Sequence, residues 1–480
     1  MVNDSKLETI SGNMVQKRKS FDGLPFWTVS IAGGLLLCWS LWRICFSGID
    51  YRALAIEVRG FSSQWNSKIH RYDPNVTSVI QQNQNVSSAI QQNQTNENEM
   101  SGKEEEPLYR SMDEWEESSD NFYADSDFSY TVGNTVKNWD AKRQQWLRAH
   151  PHIKNYTEGG RPRILVLTGS QPYPCKNPIG DHLILRTFKN KQDYCRIHGL
   201  DMFYNTILLN QKMASYWAKI PLTRTAMVAH PEAEWIWWLD SDAVITDMEF
   251  EHPLEKYKDF NFVLHGWEKN VYEKRSWLGI NAGVFLIRNC EWSMDFMERW
   301  SVMGPESPLY DSFAKILSDV LPDRPVTESD DQSALVYLMI KEKKKWGGKI
   351  YIENEYYFQG FWLDIVGTFE NISKRYEAME AEHTELSRRY AEKSARLYAV
   401  KRERYLKEIW AGLFERRPFV THFAGCQPCS GNHNPIYKAE DCQNGLQRSL
   451  DFADDQVLRI YGFRRQQLQS VLVNPIHFHP

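Results

Sequence analysis

Long uncharged runs are nearly missing from this 480-residue chain. One alone, Gly23 to Trp42 (GLPFWTVSIAGGLLLCWSLW), reaches the ~20 apolar residues a helix needs to cross a bilayer. A multispanning transporter is therefore excluded. The chain also lacks a strong excess of one charge. Its 57 Lys plus Arg stand against 62 Asp plus Glu, a net charge of −5, which argues against a nucleic-acid partner held by a basic field. Cysteine is sparse, at eight residues. Cys426-Gln-Pro-Cys429 has C-x-x-C spacing, but the second pair that a zinc knuckle requires is missing, with only Cys442 and His433 nearby. Aromatic residues are not scarce: 18 Trp, 23 Tyr and 23 Phe can furnish a large core, so the chain is not wholly disordered. Its length sets a prior of two to four folded units, or one large unit with additions.

The apolar run reads as a membrane anchor. Trp27, Trp39 and Trp42 stand near its ends as interfacial residues do, with Lys17, Arg18 and Lys19 before it and Arg43 after it. A cleaved signal peptide is the rival reading, but signal cores are usually ~7–15 apolar residues. A polar stem follows. NVTSVIQQNQ at Asn75 is nearly repeated as NVSSAIQQNQ at Asn85, and two copies are too few for a solenoid. Acidic residues from Glu104 to Asp127 complete a composition that cannot bury enough apolar surface to fold. Asn75, Asn85 and Asn93 begin glycosylation sequons in this stem, and Asn155 and Asn371 begin two more. Six cysteines lie beyond the membrane segment. In an oxidising compartment they permit up to three disulfides.

Beyond Arg161 the pattern becomes that of a fold. Ile164–Leu167 is a short buried strand entering Thr168-Gly169-Ser170, and 182–198 is helical. Met202–Tyr204, Glu234–Leu239, Asn261–His265 and Gly283–Ile287 read as further strands. Lys212–Ala229 and Trp292–Trp300 read as helices. This alternation predicts an α/β, doubly wound sheet, with ligands beyond the carboxyl ends of strands.

Asp240-Ser241-Asp242 falls at such an end. Two carboxylates on alternate residues can hold a hard divalent cation and leave positions open for phosphate oxygens. The same triplet at Asp125–Asp127 lies in the acidic stem, so context rather than composition marks the second one. His422, after the expected strand at Pro418–Val420, can complete a shell that Mn²⁺ accepts. Asp330, Asp331 and Gln332 open a helix expected over Asp331–Lys341. Their carboxylates suit either sugar hydroxyls or the helix dipole. Lys219 is a phosphate partner or an exposed helix charge. Trp267 and Trp277 are candidates to stack a sugar ring.

Taken in order, LVLTGSQP, GDHLILR, KNKQDYCRIHG, YWAKIPL, WWLDSDAVITDM, HGW, GINAGVFLIRN, DDQSA, KWGGKIY and THFAGCQPC resemble plant glycosyltransferase family 34. That family includes xyloglucan α-1,6-xylosyltransferases and galactomannan α-1,6-galactosyltransferases. The resemblance covers about residues 137–463. It implies a GT-A nucleotide-sugar-binding fold, type II Golgi topology, dependence on Mn²⁺ (or Mg²⁺) and retention of anomeric configuration. Asp240, Asp242 and His422 would serve the metal. Thr168, Gly169, Ser170, Lys219, Ser241, Gly425 and Gln427 would join the two aspartates around the nucleotide sugar. Asn281, Asp330, Asp331 and Gln332 would form the catalytic centre, and Trp267 and Trp277 would meet the acceptor. The implied organisation is a cytosolic tail (1–22), an anchor (23–46), an acidic lumenal stem (47–136), a catalytic domain (137–463) and a C-terminal tail (464–480).

Two features favour the galactomannan branch. Gln427 stands where the xylosyltransferases typically carry Lys in G-C-K-P-C. A charged segment over 368–415 shows apolar residues at three-four spacing, as in an amphipathic helix. The expected reaction is galactosyl transfer from UDP-galactose to a β-mannan, with the Golgi membrane and a mannan synthase or a homo- or hetero-oligomer as partners. UDP-xylose transfer to a β-glucan is the first alternative. A non-catalytic subunit of a polysaccharide synthase is the second.

Overall fold

The computed structural model describes residues 128–476 except 134–135, 158, 177, 387–391 and 410–415. The expected anchor, the stem with Asn75, Asn85 and Asn93, and Asp125–Asp127 lie outside the described residues. Among the described residues no helix is long and apolar enough to cross a membrane.

The strands in chain order are β1 (Ile164–Gly169), β2 (Asp201–Asn205), β3 (Trp235–Leu239), β4 (Ala243–Ile245), β5 (Phe262–Gly266), β6 (Ile280–Arg288), β7 (Ile350–Glu353), β8 (Gly360–Phe361) and β9 (Val420–His422). The helices that matter here are α1 (Pro178–His198), α2 (Lys219–Ala229), α3 (Glu291–Ser301), α4 (Asp331–Lys341), α5 (Phe369–Glu382), α6 (Ala395–Ile409) and α7 (Ala439–Ile460).

The main sheet has the order β2-β1-β3-β6-β5-β7. Its inner strands β3 and β5 are continuous apolar runs because both faces are covered, whereas the edge strand β2 is largely exposed. In β3 every residue is buried. Trp235 and Trp237 join a core built with Tyr194 and Ile197 of α1 and Ala453 and Val457 of α7. Ile236 and Trp238 face the other way, with Met227 of α2, Trp300 of α3 and Leu335 of α4. Helices thus sandwich the sheet on both sides.

The expected doubly wound sheet is mixed rather than all-parallel. β1 runs parallel to β2 and β3, but β6 is antiparallel to both β3 and β5. β5 and β6 are joined through residues 267–279, and antiparallel neighbours need no helical crossover. This reversal sets the start of β6 beside the end of β3, with Leu239 opposite Val284.

A second sheet, β4-β9-β8, branches off directly after Asp242. Ala243 pairs with His422, so His422 lies within β9 rather than beyond it as the sequence suggested. The expected helix over 212–229 begins only at Lys219, after a single 3₁₀ turn at Ser215–Ala218. The charged segment forms two helices, α5 and α6, rather than one. Tyr376 and Met379 of α5 are buried, whereas Leu397 and Val400 of α6 are exposed.

Among the described residues the cysteines form two disulfides, Cys175–Cys429 and Cys426–Cys442. The C-x-x-C pair therefore bonds outward rather than to itself. Cys195 and Cys290 are free thiols, which sets aside a third bridge. The Cys175–Cys429 bond ties the exit of β1 to the loop after β9, and Lys176 N–H donates to the Cys429 carbonyl there at 3.1 Å.

Candidate active site and metal centre

Two backbone pairings and one buried side chain assemble the site. The Asp240 N–H donates to the Gly283 carbonyl at 2.8 Å, which ties the end of β3 to the start of β6. The Phe423 N–H donates to the Asp242 carbonyl at 3.1 Å, which continues the β4–β9 pairing. From beneath, the fully buried Lys191 ammonium of α1 donates to the carbonyls of Ala243 at 2.8 Å and Ser241 at 3.4 Å. Burial pushes the Lys191 pKa down to about 8, against the pull of Asp242 and Asp240.

These contacts bring Asp240, Asp242 and His422 together, with one ligand atom from each lying within 4.8 Å of the others. The His422 Nε2 is 3.2 Å from Asp242 Oδ1 and 3.9 Å from Asp240 Oδ2. Two carboxylates and an imidazole match the donors that Mn²⁺ accepts. The cradle is tight as well. A Cβ on Gly283 would lie 2.3 Å from His422 Cε1 and 2.7 Å from Asp240 Oδ2. Burial lowers the His422 pKa, but the Asp242 and Asp240 charges outweigh it and raise the value. Burial acts to raise Asp242, and the His422 charge and hydrogen bond more than reverse that.

A second charged layer lies beside the first. The buried Lys219 Nζ is 2.6 Å from Asp331 Oδ2 and 3.4 Å from Asp240 Oδ1, and it donates to the Ala282 carbonyl at 3.0 Å. The two carboxylates overcome desolvation and hold the Lys219 pKa above its ordinary value. Burial pushes Asp331 up to about 6 despite that partner. The remaining Asp240 Oδ1 contact is the Trp238 indole N–H at 2.6 Å.

The predicted residues divide between the site and its scaffolding. Gln332 joins the site through its side chain: Oε1 accepts from Ala282 N–H at 3.2 Å, and Nε2 donates to the Trp277 carbonyl at 3.0 Å. Asn281 reaches His422 Nδ1 at 3.1 Å. Asp330 is committed to structure. Its Oδ1 caps α4 at the Ser333 N–H and accepts from the Trp277 indole, while Oδ2 pairs with Arg324. Trp277 is thereby anchored half-buried. Trp267 is also half-buried, with its ring edge-on to His265 at 5.0 Å.

At the neighbouring strand end Thr168 is fully buried, whereas Gly169 and Ser170 are partly exposed and Ser170 N–H donates to the Asn205 carbonyl. Gly425 and Gln427 are exposed in the loop after β9. The Gln427 Oε1 accepts from Ser430 at 2.9 Å, and its side chain belongs to the wall of a cavity of about 250 Å³ with Leu183, His433 and Leu446. Asn371 is exposed on α5 and Asn155 is half-buried.

The sequence reading missed Lys191, Trp238 and Gly283. A lysine in KNKQDYC looks like a solvated helix charge, and Trp238 looks like core. Gly283 did carry a signal, because glycine inside a strand marks close approach of another group.

The pattern of the galactosyl transferase GMA12/MNN10 family matches residues 160–433. Galactomannan galactosyltransferase 1 of Cyamopsis tetragonoloba is 54% identical over 358 residues, covering 74% of this chain and 80% of that protein. Probable glycosyltransferase 7 of Oryza sativa subsp. indica is 53% identical over 366 residues, covering 75% and 81%. Glycosyltransferase 6 of Arabidopsis thaliana is 52% identical over 359 residues, covering 74% and 82%. The chain belongs to the galactosyl transferase GMA12/MNN10 family, glycosyltransferase family 34, and is a sugar-transferring enzyme.

Proposed function

We propose that this enzyme transfers an α-galactosyl group from UDP-galactose to O6 of mannosyl residues in a (1→4)-β-mannan, with retention and with a divalent cation, Mn²⁺ or Mg²⁺. The observation that carries the metal-dependent chemistry is the Asp240–Asp242–His422 cluster, which gathers at the end of β3. The 54% identity to a galactomannan galactosyltransferase supports the donor and acceptor.

When bound, the cation would neutralise the diphosphate and stabilise it as a leaving group. The protein's own groups supply the rest. Asp240, Asp242 and His422 would hold the cation, and Lys219 keeps a positive charge between Asp240 and Asp331. Both Asp330 oxygens are engaged and Asp331 is paired with Lys219, so neither is a free carboxylate nucleophile. That supports front-face attack, in which the leaving phosphate takes the proton of the acceptor hydroxyl. Catalysis then rests on positioning and charge stabilisation.

The reading extends to a Golgi anchor at 23–46 with a lumenal catalytic domain. The uncharged run and the downstream sequons support this topology. Digestion of the catalytic domain by protease in intact vesicles would contradict it.

The donor is tested by competition between equimolar UDP-galactose and UDP-xylose on mannan and cellulose oligomers, followed by linkage analysis. A site that hydrogen-bonds the galactose hydroxymethyl leaves a buried polar group unpaired when xylose binds, and such sites discriminate by up to ~10⁴–10⁵-fold. Galactosylated mannan is the expected product. Dominant xylosylation of the glucan would replace this reading with the xylosyltransferase one. No transfer to either would favour a non-catalytic subunit.

A further inference from the structure

The role of Asn281 can be resolved atom by atom. Its Oδ1 receives the Gly283 backbone N–H at 2.8 Å. A backbone N–H only donates, so the Asn281 atom at that position is the amide oxygen. The same oxygen lies 3.1 Å from His422 Nδ1. An amide oxygen only accepts, so Nδ1 carries a hydrogen. The other ring nitrogen, Nε2, is the one that faces Asp242 and Asp240. The ring has little freedom to choose otherwise. His422 is 3% exposed, and its backbone is paired with Ala243 of β4 on one side and Phe361 of β8 on the other.

We propose that Asn281 is a positioning residue for the metal ligand His422: its amide oxygen takes the Nδ1 proton and thereby presents Nε2 to the cation site. This inference rests on the reading of Asp240, Asp242 and His422 as the metal set. It differs from assigning Asn281 to the sugar, because the Asn281 oxygen is already held by two donors on the protein side. A histidine ligand is commonly fixed in tautomer and orientation by an acceptor on its other nitrogen, and loss of that acceptor typically costs 10–100-fold in metal affinity. The Gly283 N–H in turn holds the oxygen in place, so the strand that closes on Asp240 also orients the ligand opposite it.

The test is Mn²⁺ binding by purified full-length protein without any sugar nucleotide, read by electron paramagnetic resonance, on wild type, N281L and N281D. Leucine keeps similar volume but removes the acceptor, whereas aspartate keeps an oxygen for both donors. N281L should bind Mn²⁺ 10–100-fold more weakly and lose the imidazole ¹⁴N coupling seen by electron spin echo. N281D should stay within about threefold of wild type, or bind more tightly, with the coupling retained. An N281L protein that binds Mn²⁺ like wild type with the coupling intact overturns the proposal and returns Asn281 to the sugar. So does a folded N281D that loses Mn²⁺ tenfold, which decides the matter even if N281L does not fold. Wild type that binds no Mn²⁺, or binds it no better than D242N, removes the metal reading itself and the proposal with it.

Discussion

Gly283→Ala adds one methyl group to a strand where backbone conformation does not demand glycine. Only the neighbours object. The new Cβ would lie 2.3 Å from His422 Cε1, 2.7 Å from Asp240 Oδ2 and 2.9 Å from His422 Nε2. Carbon atoms rest at about 3.5–4.0 Å, so the imidazole must retreat by more than an ångström. It cannot do so cheaply, because β4 and β8 flank its backbone and Asn281 and Asp242 hold its two nitrogens. Metal ligands tolerate about ±0.2 Å. The displacement exceeds that several-fold, so G283A should lose Mn²⁺ affinity and transfer by about 100-fold or more. Overpacking of this kind costs roughly 1–3 kcal/mol, a fall in Tm of several degrees at ~2–4 °C per kcal/mol. The protein should therefore remain folded yet inactive. Gly348→Ala is the control, since a Cβ there meets nothing within 4 Å. Calorimetric Mn²⁺ titration and UDP-sugar turnover on both variants are the assays. G283A within threefold of wild type in both would show that the cluster is not held at the spacing argued here.

Asp240→Ala or Asp242→Ala should abolish transfer, while Asp125→Ala and Asp127→Ala should leave it nearly unchanged; turnover of all four variants decides whether position at the end of β3 is what matters. Replacing Cys175 and Cys429 with serine should lower Tm more than replacing Cys426 and Cys442. The first bridge spans 254 residues against 16 for the second, and a longer loop removes more unfolded-state entropy; equal melting shifts would contradict that. In metal-free protein, burial lowers His198 to about 4, His252 to about 3 and His265 to about 4, so between pH 6.5 and 4 the unfolded chain takes up protons that the folded one refuses. Asp247, raised to about 6, and Asp331, raised likewise, act in the opposite sense below pH 6 but are outnumbered. Tm should fall as pH is taken from 7 to 5, H252Q should flatten the slope by about one proton, or ~1.4 kcal/mol per pH unit, and a level Tm over that range would refute the assignment.

The sequence carried what local pattern can carry. ILVL, EWIWWL and GVFLI became β1, β3 and β6 because apolar runs of strand length must be buried on both faces. The helix over Asp331–Lys341 was legible to the residue, since Asp330 is of a type that caps helices and its side chain accepts from the Ser333 N–H. Lys191 was not legible. A buried lysine under a carboxylate loop has the same sequence signature as a solvated one, and only the carbonyls of Ser241 and Ala243 distinguish them. The single amphipathic helix over 368–415 was misread for a related reason. Tyr376 and Met379 obey the spacing because they are core, whereas Leu397 and Val400 obey it while facing solvent on a separate helix.

Strand direction was the information most completely hidden, and the site depends on it. Nothing in GINAGVFLI states that β6 runs against β3. Yet that reversal is what places Asn281 and Gly283 at the same end of the sheet as Asp240 and Asp242. A parallel β6 would leave them at the opposite end. The second hidden fact is the β4–β9 pairing, which brings together residues 242 and 422 although 180 positions separate them. The metal set thus rests on two strands and is braced by a third: Asp240 and Asp242 follow β3, which the Gly283 carbonyl ties to β6, His422 lies in β9 opposite Ala243, and β6 adds the Asn281 oxygen. A change far from the acidic pair that loosens the short β4-β9-β8 sheet should therefore weaken the site before it unfolds the main sheet. The large core lies on β3, β5 and β6, whereas His422 rests on a strand of three residues.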